Sequence, residues 1–387
     1  MKTTATLGQK KTHHLIMKIK PSSLPSPSLS IKTGSSKQQA VNSRKPVMLH
    51  IKAIPDNHQI SVDNYDHALG GFNYSYNGNL HLLENERMDE YEHQTMILGG
   101  SRPKRIDTPG VDFAFNFICD PDISRKSLEY AIQFVDENSI PTLNHPAKVL
   151  RLTRDGLFRH FSDINGLKIP KTLSISPHSL KEVQNLVESG EIALPLIIRP
   201  AGKHGGQGMY LLESLDDIRE LERFAFDGRN YYLIEFHDYR SADGFYRKYR
   251  ILWIDGKIYP RHLIIDKEWN LHAANKNNFM RDTETFIQEE TDFLVNCEEV
   301  LGNDGMRNIQ TLFSGTGLDY CGMDFSLMPD NRVFVFEANA AMNTTYNRAH
   351  AASSHLDSYL IMHEQAKIKM LSQFANTAVA ETDKRSH

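Results

Sequence analysis

The sequence predicts an α/β (α+β) chain, a small N-terminal α/β domain followed by a region of antiparallel sheets, and three observations predict it. Beyond the N-terminal tail, apolar strand-like runs alternate with helical periodicity as far as Phe224. Further on, short apolar runs follow one another with tight-turn chemistry between them, at Asp255-Gly256 and Asp330-Asn331. A glycine-rich segment at 202–208 separates an apolar strand from a helix. With 387 residues and 40% hydrophobic content, the chain can bury several cores.

The elements follow in order. Residues 1–46 are basic and rich in serine and proline, with no acid before Asp56. That composition cannot bury enough apolar surface to order itself, and it also suits an organelle transit segment. Val47 to Ile51 and Val111 to Ile118 read as buried strands. Ser124 is placed to cap a helix with Leu128, Ile132 and Val135 on one face, closing a domain over 47–145. A second unit, 146–232, holds a helix over Leu150 to Phe161, a strand at Leu173 to Ile175 and a helix over Ser179 to Val187. It continues with a strand from Leu194 to Arg199 and a helix capped by Ser214 that carries Ile218, Leu221 and Phe224. Strands at Tyr231 to Glu235, Tyr249 to Trp253, Lys257 to Ile265, Gly322 to Leu327 and Val333 to Glu337 fill out a third unit, 233–355. A C-terminal helix and fraying tail are expected over 356–387.

Composition narrows the function classes. A net charge of −4 gives no general drive toward nucleic acid or anionic membrane. No apolar run is long enough to span a bilayer, so neither nucleic acid nor membrane is an expected partner. Cys119, Cys297 and Cys321 are too scattered for a disulfide framework or a cysteine zinc site, which fits a reducing cytoplasm.

Three segments carry chemistry. Asp324 lies on one strand, Glu337 thirteen positions on at the end of the next, and Asn339 two beyond it. If the strands form a hairpin across Pro329-Asp330-Asn331, the two carboxylates share a face and the amide can join them. Such oxygen donors suit magnesium, which keeps waters and nucleotide phosphates in its shell. Gly202-Lys203-His204-Gly205-Gly206-Gln207-Gly208 follows a strand ending at Arg199-Pro200. Its glycines let backbone amides approach phosphate, and Arg199 and Lys203 add charge. Tyr231 to Phe236 is an apolar strand ending in Glu235, suited to lining an adenine pocket with an acid for ribose. Taken singly, each also fits a plainer role: solvated strand ends, a glycine turn, a buried strand.

Their order is more specific, and with it residues 144–343 resemble the ATP-grasp superfamily. The resemblance implies a two-lobed ATP-grasp fold behind a pre-ATP-grasp α/β domain. By it, Arg199, Lys203, Gly205, Gly206, Gln207 and Gly208 form the phosphate strand and flap, and Glu235 and Phe236 the adenine hinge. Lys248 and Arg250 form the charged strand, and Asp324, Glu337 and Asn339 the metal set. It also implies ATP and magnesium, two ions with manganese as a substitute. The chain departs from the pattern at two places: Gly156 stands where many relatives have lysine, leaving an early phosphate contact to Arg151 or Arg154. Gly322 stands where several peptide-forming relatives have arginine, and Arg261 and Arg348 are the expected catalytic replacements.

The resulting expectation is a ligase that activates a small-molecule or peptide carboxylate as an acyl phosphate and couples it to an amine, releasing ADP and phosphate. A homodimer is part of that expectation. A nucleotide-binding interaction protein without catalysis and a kinase-like phosphotransferase are the alternatives. Arg261 and His262, with Lys267, Trp269 and His272, form a charged and aromatic cluster in which Arg261 suits an anionic ligand, and equally a solvated strand edge.

Overall fold

The computed structural model describes residues 44–68, 70–80, 89–99, 110–272, 279–280, 283–342 and 357–385. Arg348 and nearly all of the basic N-terminal tail lie outside these residues. Everything from Lys45 onward belongs to one unit.

The first sheet is parallel, as expected of an α/β domain, with strand order β4-β1-β5-β6. Its strands are β1 (Val47–Ala53), β4 (Glu92–Leu98), β5 (Phe113–Asn116) and β6 (Thr142–Leu143). Met48, Leu49, Ile51, Phe113, Ala114 and Phe115 are buried, the largely apolar character that a sheet covered on both faces requires. A hairpin of β2 (Ser61–Asp66) and β3 (Gly71–Ser75) precedes β4. Helix α1 (Arg125–Glu137) packs Leu128, Ala131, Phe134 and Val135 inward.

Sequence reading joins Leu150 to Phe161 in one helix, and the structure breaks it in two. Helix α2 (Pro146–Leu150) ends, the chain turns, and the Thr153 hydroxyl accepts the Gly156 amide at 3.1 Å to start α3 (Arg154–Phe161). That break sets Arg154 at the head of a helix rather than within one.

The next sheet is antiparallel, β10-β9-β11-β8, from β8 (Thr172–Ile175), β9 (Leu196–Pro200), β10 (Tyr210–Leu212) and β11 (Tyr231–Glu235). Helix α4 (Leu180–Glu188) covers it with a stretch expected to be α-helical, Leu215–Arg223, which winds as a 3-10 helix and buries Leu221. The third sheet runs β13-β12-β14-β15-β7, with β12 (Tyr246–Ile254), β13 (Lys257–Asp266), β14 (Tyr320–Leu327) and β15 (Val333–Asn339) antiparallel and the short β7 (Leu167–Lys168) parallel at its edge. Helices α5 (Glu284–Val295), α6 (Cys297–Thr316) and α7 (Asp357–Arg385) complete the described chain.

The cores divide unequally. Val183, Leu196, Ile198, Leu212, Leu221 and Leu233 form a separate cluster under the second sheet, whereas the first and third sheets share one continuous core. The second sheet thus has a core of its own.

Candidate functional site

Strands β14 and β15 pair as the hairpin spacing implies: Asp324 lies directly opposite Glu337, and Gly322 opposite Asn339. A bulge after Asp324 sets the register, and Asn331 turns the hairpin at φ 64°. Asp324 is 2% exposed. On its other side β12 places Arg250 opposite it, with Nε donating to Oδ1 at 2.5 Å and Nη2 to Oδ2 at 2.7 Å. Lys248, two residues earlier on the same face, brings Nζ to 3.8 Å from Asp324 Oδ2 and donates to the Leu271 carbonyl.

Glu337 receives Arg154, whose Nη2 donates to Oε2 while Nη1 donates to the Phe336 carbonyl at 3.2 Å. Burial works to raise the Glu337 pKa, but Arg154, Arg199, Arg250 and Lys248 hold it well below the usual carboxylate range. Burial pushes the Lys248 ammonium down and the Arg199 guanidinium to about 10. Arg199, at the end of β9, donates through Nη2 to the Lys203 carbonyl, and its Nε is buried without a partner among the described residues. Four cations thus surround two carboxylates, an excess of positive charge suited to a polyphosphate.

The glycine-rich loop lies above them. Gly202, Gly205, Gly206 and Gly208 all adopt left-handed φ. An added Cβ at Gly202 would meet Ile123 Cγ2 at 2.3 Å, and at Gly206 it would displace the Asn270 amide, whose Oδ1 it would meet at 2.5 Å. The loop is tied to the turn after β5. Gly202 N donates to Asp122 Oδ2 at 3.3 Å, His204 Nε2 and Asp120 Oδ2 are 2.8 Å apart, and the Tyr232 hydroxyl donates to Asp122. The hydrogen bond to Asp120 raises the His204 pKa.

Below the loop is a cleft of about 410 Å³. Its polar end holds Arg154, Arg199, Lys248, Arg250, Asp324 and Glu337. Its other end is apolar and aromatic, with Ile197, Ile234, Phe236 and Trp269, the last two rings edge to face at 5.8 Å. Glu235 and His237 also line the cleft, their nearest N–O approach 3.9 Å. A second cavity of about 30 Å³ lies between the Cys119–Asp122 turn, α3 and the end of β15.

The expected set is largely brought together. Arg199, Gly205, Gly206, Glu235, Phe236, Lys248, Arg250, Asp324, Glu337 and Asn339 line the one cleft. Lys203, Gln207 and Gly208 do not, being exposed on the loop, where Lys203 contributes its carbonyl. Arg261 is also outside it. The bulge between Arg250 and Ile251 leaves Arg261 unpaired across the strand and gives the cleft position to His262. Asp120, Asp122 and Tyr232 were absent from the expected binding set, and Arg154 entered it only beside Arg151 as a candidate for an early phosphate contact. A sequence signal did exist for the acids, since they follow a parallel strand at its C-terminal end, where α/β sheets place ligand contacts.

The donor set fits a hard divalent cation. Among the described residues no three His, Cys, Asp or Glu side chains cluster, so such an ion would rest on Asp324, Glu337 and the Asn339 amide with water and phosphate oxygens beyond. A carboxylate has about four lone-pair sites, so the arginine contacts leave acceptor capacity for a metal.

No family model matches the chain. An 87-residue stretch is 36% identical to the large chain of carbamoyl phosphate synthase from Methanosarcina mazei, covering 22% of this chain and only 8% of that protein. The structure is similar to D-alanyl-alanine synthetase A from Vibrio cholerae, with a TM-score of 0.50 and 11% identity over 87% of this chain and 99% of the other. It is also similar to D-alanine–D-alanine ligase from Bacillus anthracis complexed with ATP, with a TM-score of 0.49 and 12% identity over 89% and 100% of the two chains.

Proposed function

We propose that this chain, which has the ATP-grasp fold, uses magnesium ATP to activate a carboxylate and pass it to an amine, releasing ADP and phosphate. The observation that carries the reading is the opposed pair Asp324 and Glu337, ringed by Arg154, Arg199, Lys248 and Arg250 at one end of a cleft whose other end is apolar. That polarity orients a nucleotide with its base toward Phe236 and Trp269 and its phosphates toward the charges. Glu235, at the end of the hinge strand, is placed for a ribose hydroxyl. Arg199 and the loop amides hold the phosphates, and Lys248 and Arg250 complete the cradle from β12.

Magnesium, held by Asp324, Glu337 and Asn339, would neutralise phosphate charge and fix the triphosphate for in-line attack. A substrate carboxylate oxygen bonds to the γ-phosphorus as the bond to the β,γ-bridging oxygen breaks, giving an acyl phosphate and ADP. The amine nitrogen then bonds to the acyl carbon, phosphate leaves, and one proton is released. The acyl phosphate survives only if water is kept out, and the tied glycine loop supplies that cover. A small-molecule or peptide acid and amine are the substrates in this reading.

The test is a coupled ADP-release screen over small acids, amino acids and peptides, with mass spectrometry of the products. An amide product with one ADP and one phosphate per turnover is expected. AMP with pyrophosphate, or a stable phosphorylated product without added amine, contradicts the assignment.

A further inference from the structure

We propose that Arg261 binds an anionic group that one of the substrates carries besides the reacting carboxylate, at a place beside the nucleotide cleft rather than in it. The inference rests on the ligase reading and adds to it a class of substrate. The first observation is that the Arg261 charge is unanswered. The side chain is half-buried, and among the described residues its guanidinium has neither a hydrogen-bond partner nor an ion pair, with Nε fully covered. Arg154, Arg199 and Arg250, by contrast, each donate to an acceptor. Burial and the neighbouring Arg250 both push the Arg261 pKa down, so the surroundings work against the charge. Of the other groups that face it, the Tyr320 hydroxyl donates to the Met342 carbonyl at 2.5 Å, and Glu290 accepts the Leu263 amide at 3.1 Å. A covered cation without a counterion costs stability, and a bound anion is what completes it.

The second observation is that the backbone is built to present this side chain. Arg250 pairs with His262 and Ile251 with Pro260, so Arg261 is the extra residue of the bulge in β13, and a bulge re-aims the side chain it inserts. Pro260, just before it, is pinned from α7: the fully buried His363 donates from Nε2 to the Pro260 carbonyl at 2.9 Å, and Tyr259 meets the same ring edge to face at 6.0 Å. His262, just after it, lines the cleft. Arg261 is therefore held one residue from the cleft wall by a braced strand, with its fork already ordered.

The third observation is where that places the anion. Arg250 holds Asp324 through two nitrogens and is also a neighbouring charge of Arg261, so it stands between the carboxylate pair and the bulge. A small acid with a second anionic group, or an amino acid serving as the amine, spans that interval with one end at the phosphates and the other at Arg261. Carboxylate and phosphate are the two groups a guanidinium fork takes through paired hydrogen bonds.

The test uses the full chain with magnesium and the β,γ-imido analogue of ATP both saturating, which fills the phosphate end of the cleft. Succinate, sulfate and the neutral succinamide are then titrated in by calorimetry. Wild type should bind an anion saturably and leave succinamide unbound, and the tighter anion assigns the group as a carboxylate or as phosphate-like. Arg261→Gln should weaken that anion on the order of tenfold or more while the analogue keeps its affinity within about twofold, and Arg261→Lys should recover part of the loss. Without ligands, Arg261→Met should melt at or above the wild-type temperature, because it removes a charge that has no partner. Anion binding that Arg261→Gln leaves unchanged, no saturable anion binding to wild type, or early melting of Arg261→Met overturns the proposal. None of these readouts needs turnover, so the ligase reading fails separately, if wild type binds the analogue yet releases no ADP from ATP with any acid and amine.

Discussion

Replacing Asp324 by asparagine keeps the shape of the side chain and removes one charge, and the structure says what that charge supports. The carboxylate is buried and holds Arg250 through contacts of 2.5 and 2.7 Å, with Lys248 Nζ 3.8 Å away. Breaking a buried ion pair from one side costs about 3–5 kcal/mol, because the remaining charge is left uncompensated. The Arg250 side chain is 22% exposed and Glu337 lies across the strand pair, which places the expected loss at the lower end, about 3 kcal/mol. For a unit of this size that lowers the melting temperature by roughly 4 °C in calorimetry. Asp324→Asn should therefore lose ATP turnover and also melt early, while remaining folded at 25 °C. Adding Arg250→Met to Asp324→Asn removes the stranded charge, so part of the stability returns while activity does not. An Asp324→Asn protein that melts with wild type, or turns over at its rate, refutes the reasoning.

Other outcomes follow from the same geometry. Gly322→Ala forces a methyl against Met342 and within 3.3 Å of the Ile251 carbonyl, so denaturant unfolding should show a loss of about 1–3 kcal/mol. Trp269→Ala removes an aromatic wall from the apolar end and should raise the dissociation constants of ATP and ADP together, by up to about tenfold in titration calorimetry. An effect on ATP alone would place Trp269 at the wrong end of the cleft. The tie between His204 and Asp120 should depend on pH. His204 has a raised pKa in the closed loop, so the tie is fully present below the ordinary histidine value of about 6.5 and is lost as pH rises through the raised one. Proteolytic cleavage within 201–209 should speed up over that interval in wild type and be insensitive to it in Asp120→Asn; since His204 is largely exposed, salt should shrink the effect.

The pairing of Asp324 with Glu337 was legible because its information is local. A two-residue strand period and a turn at Asn331 are enough to bring Asp324 and Glu337 together, and the register agrees. The glycine-rich turn at 202–208 and the strand at Tyr231–Glu235 were legible for the same reason. Arg154 reaches a residue 183 positions away, and His204 a residue 84 positions away, and no short-range pattern encodes either approach. Arg261 was chosen for its guanidinium fork, and no sequence pattern foretells the bulge whose extra residue hands the cleft position to His262. The helix over Leu150 to Phe161 failed on a cap: Thr153 looks like an interior residue until its hydroxyl is seen to take the Gly156 amide. Helices α5 and α6 and strand β4 had signals too weak in periodicity to be placed, and packing against the third and first sheets supplies what propensity does not.

The most direct measurement is titration calorimetry of ATP into wild type and Glu337→Gln, each with magnesium and with a chelator. Magnesium should tighten ATP binding to wild type by more than tenfold, and Glu337→Gln should bind with or without the metal as wild type does with the chelator. Equal affinity under all four conditions would mean that the opposed carboxylates hold no metal-bound triphosphate.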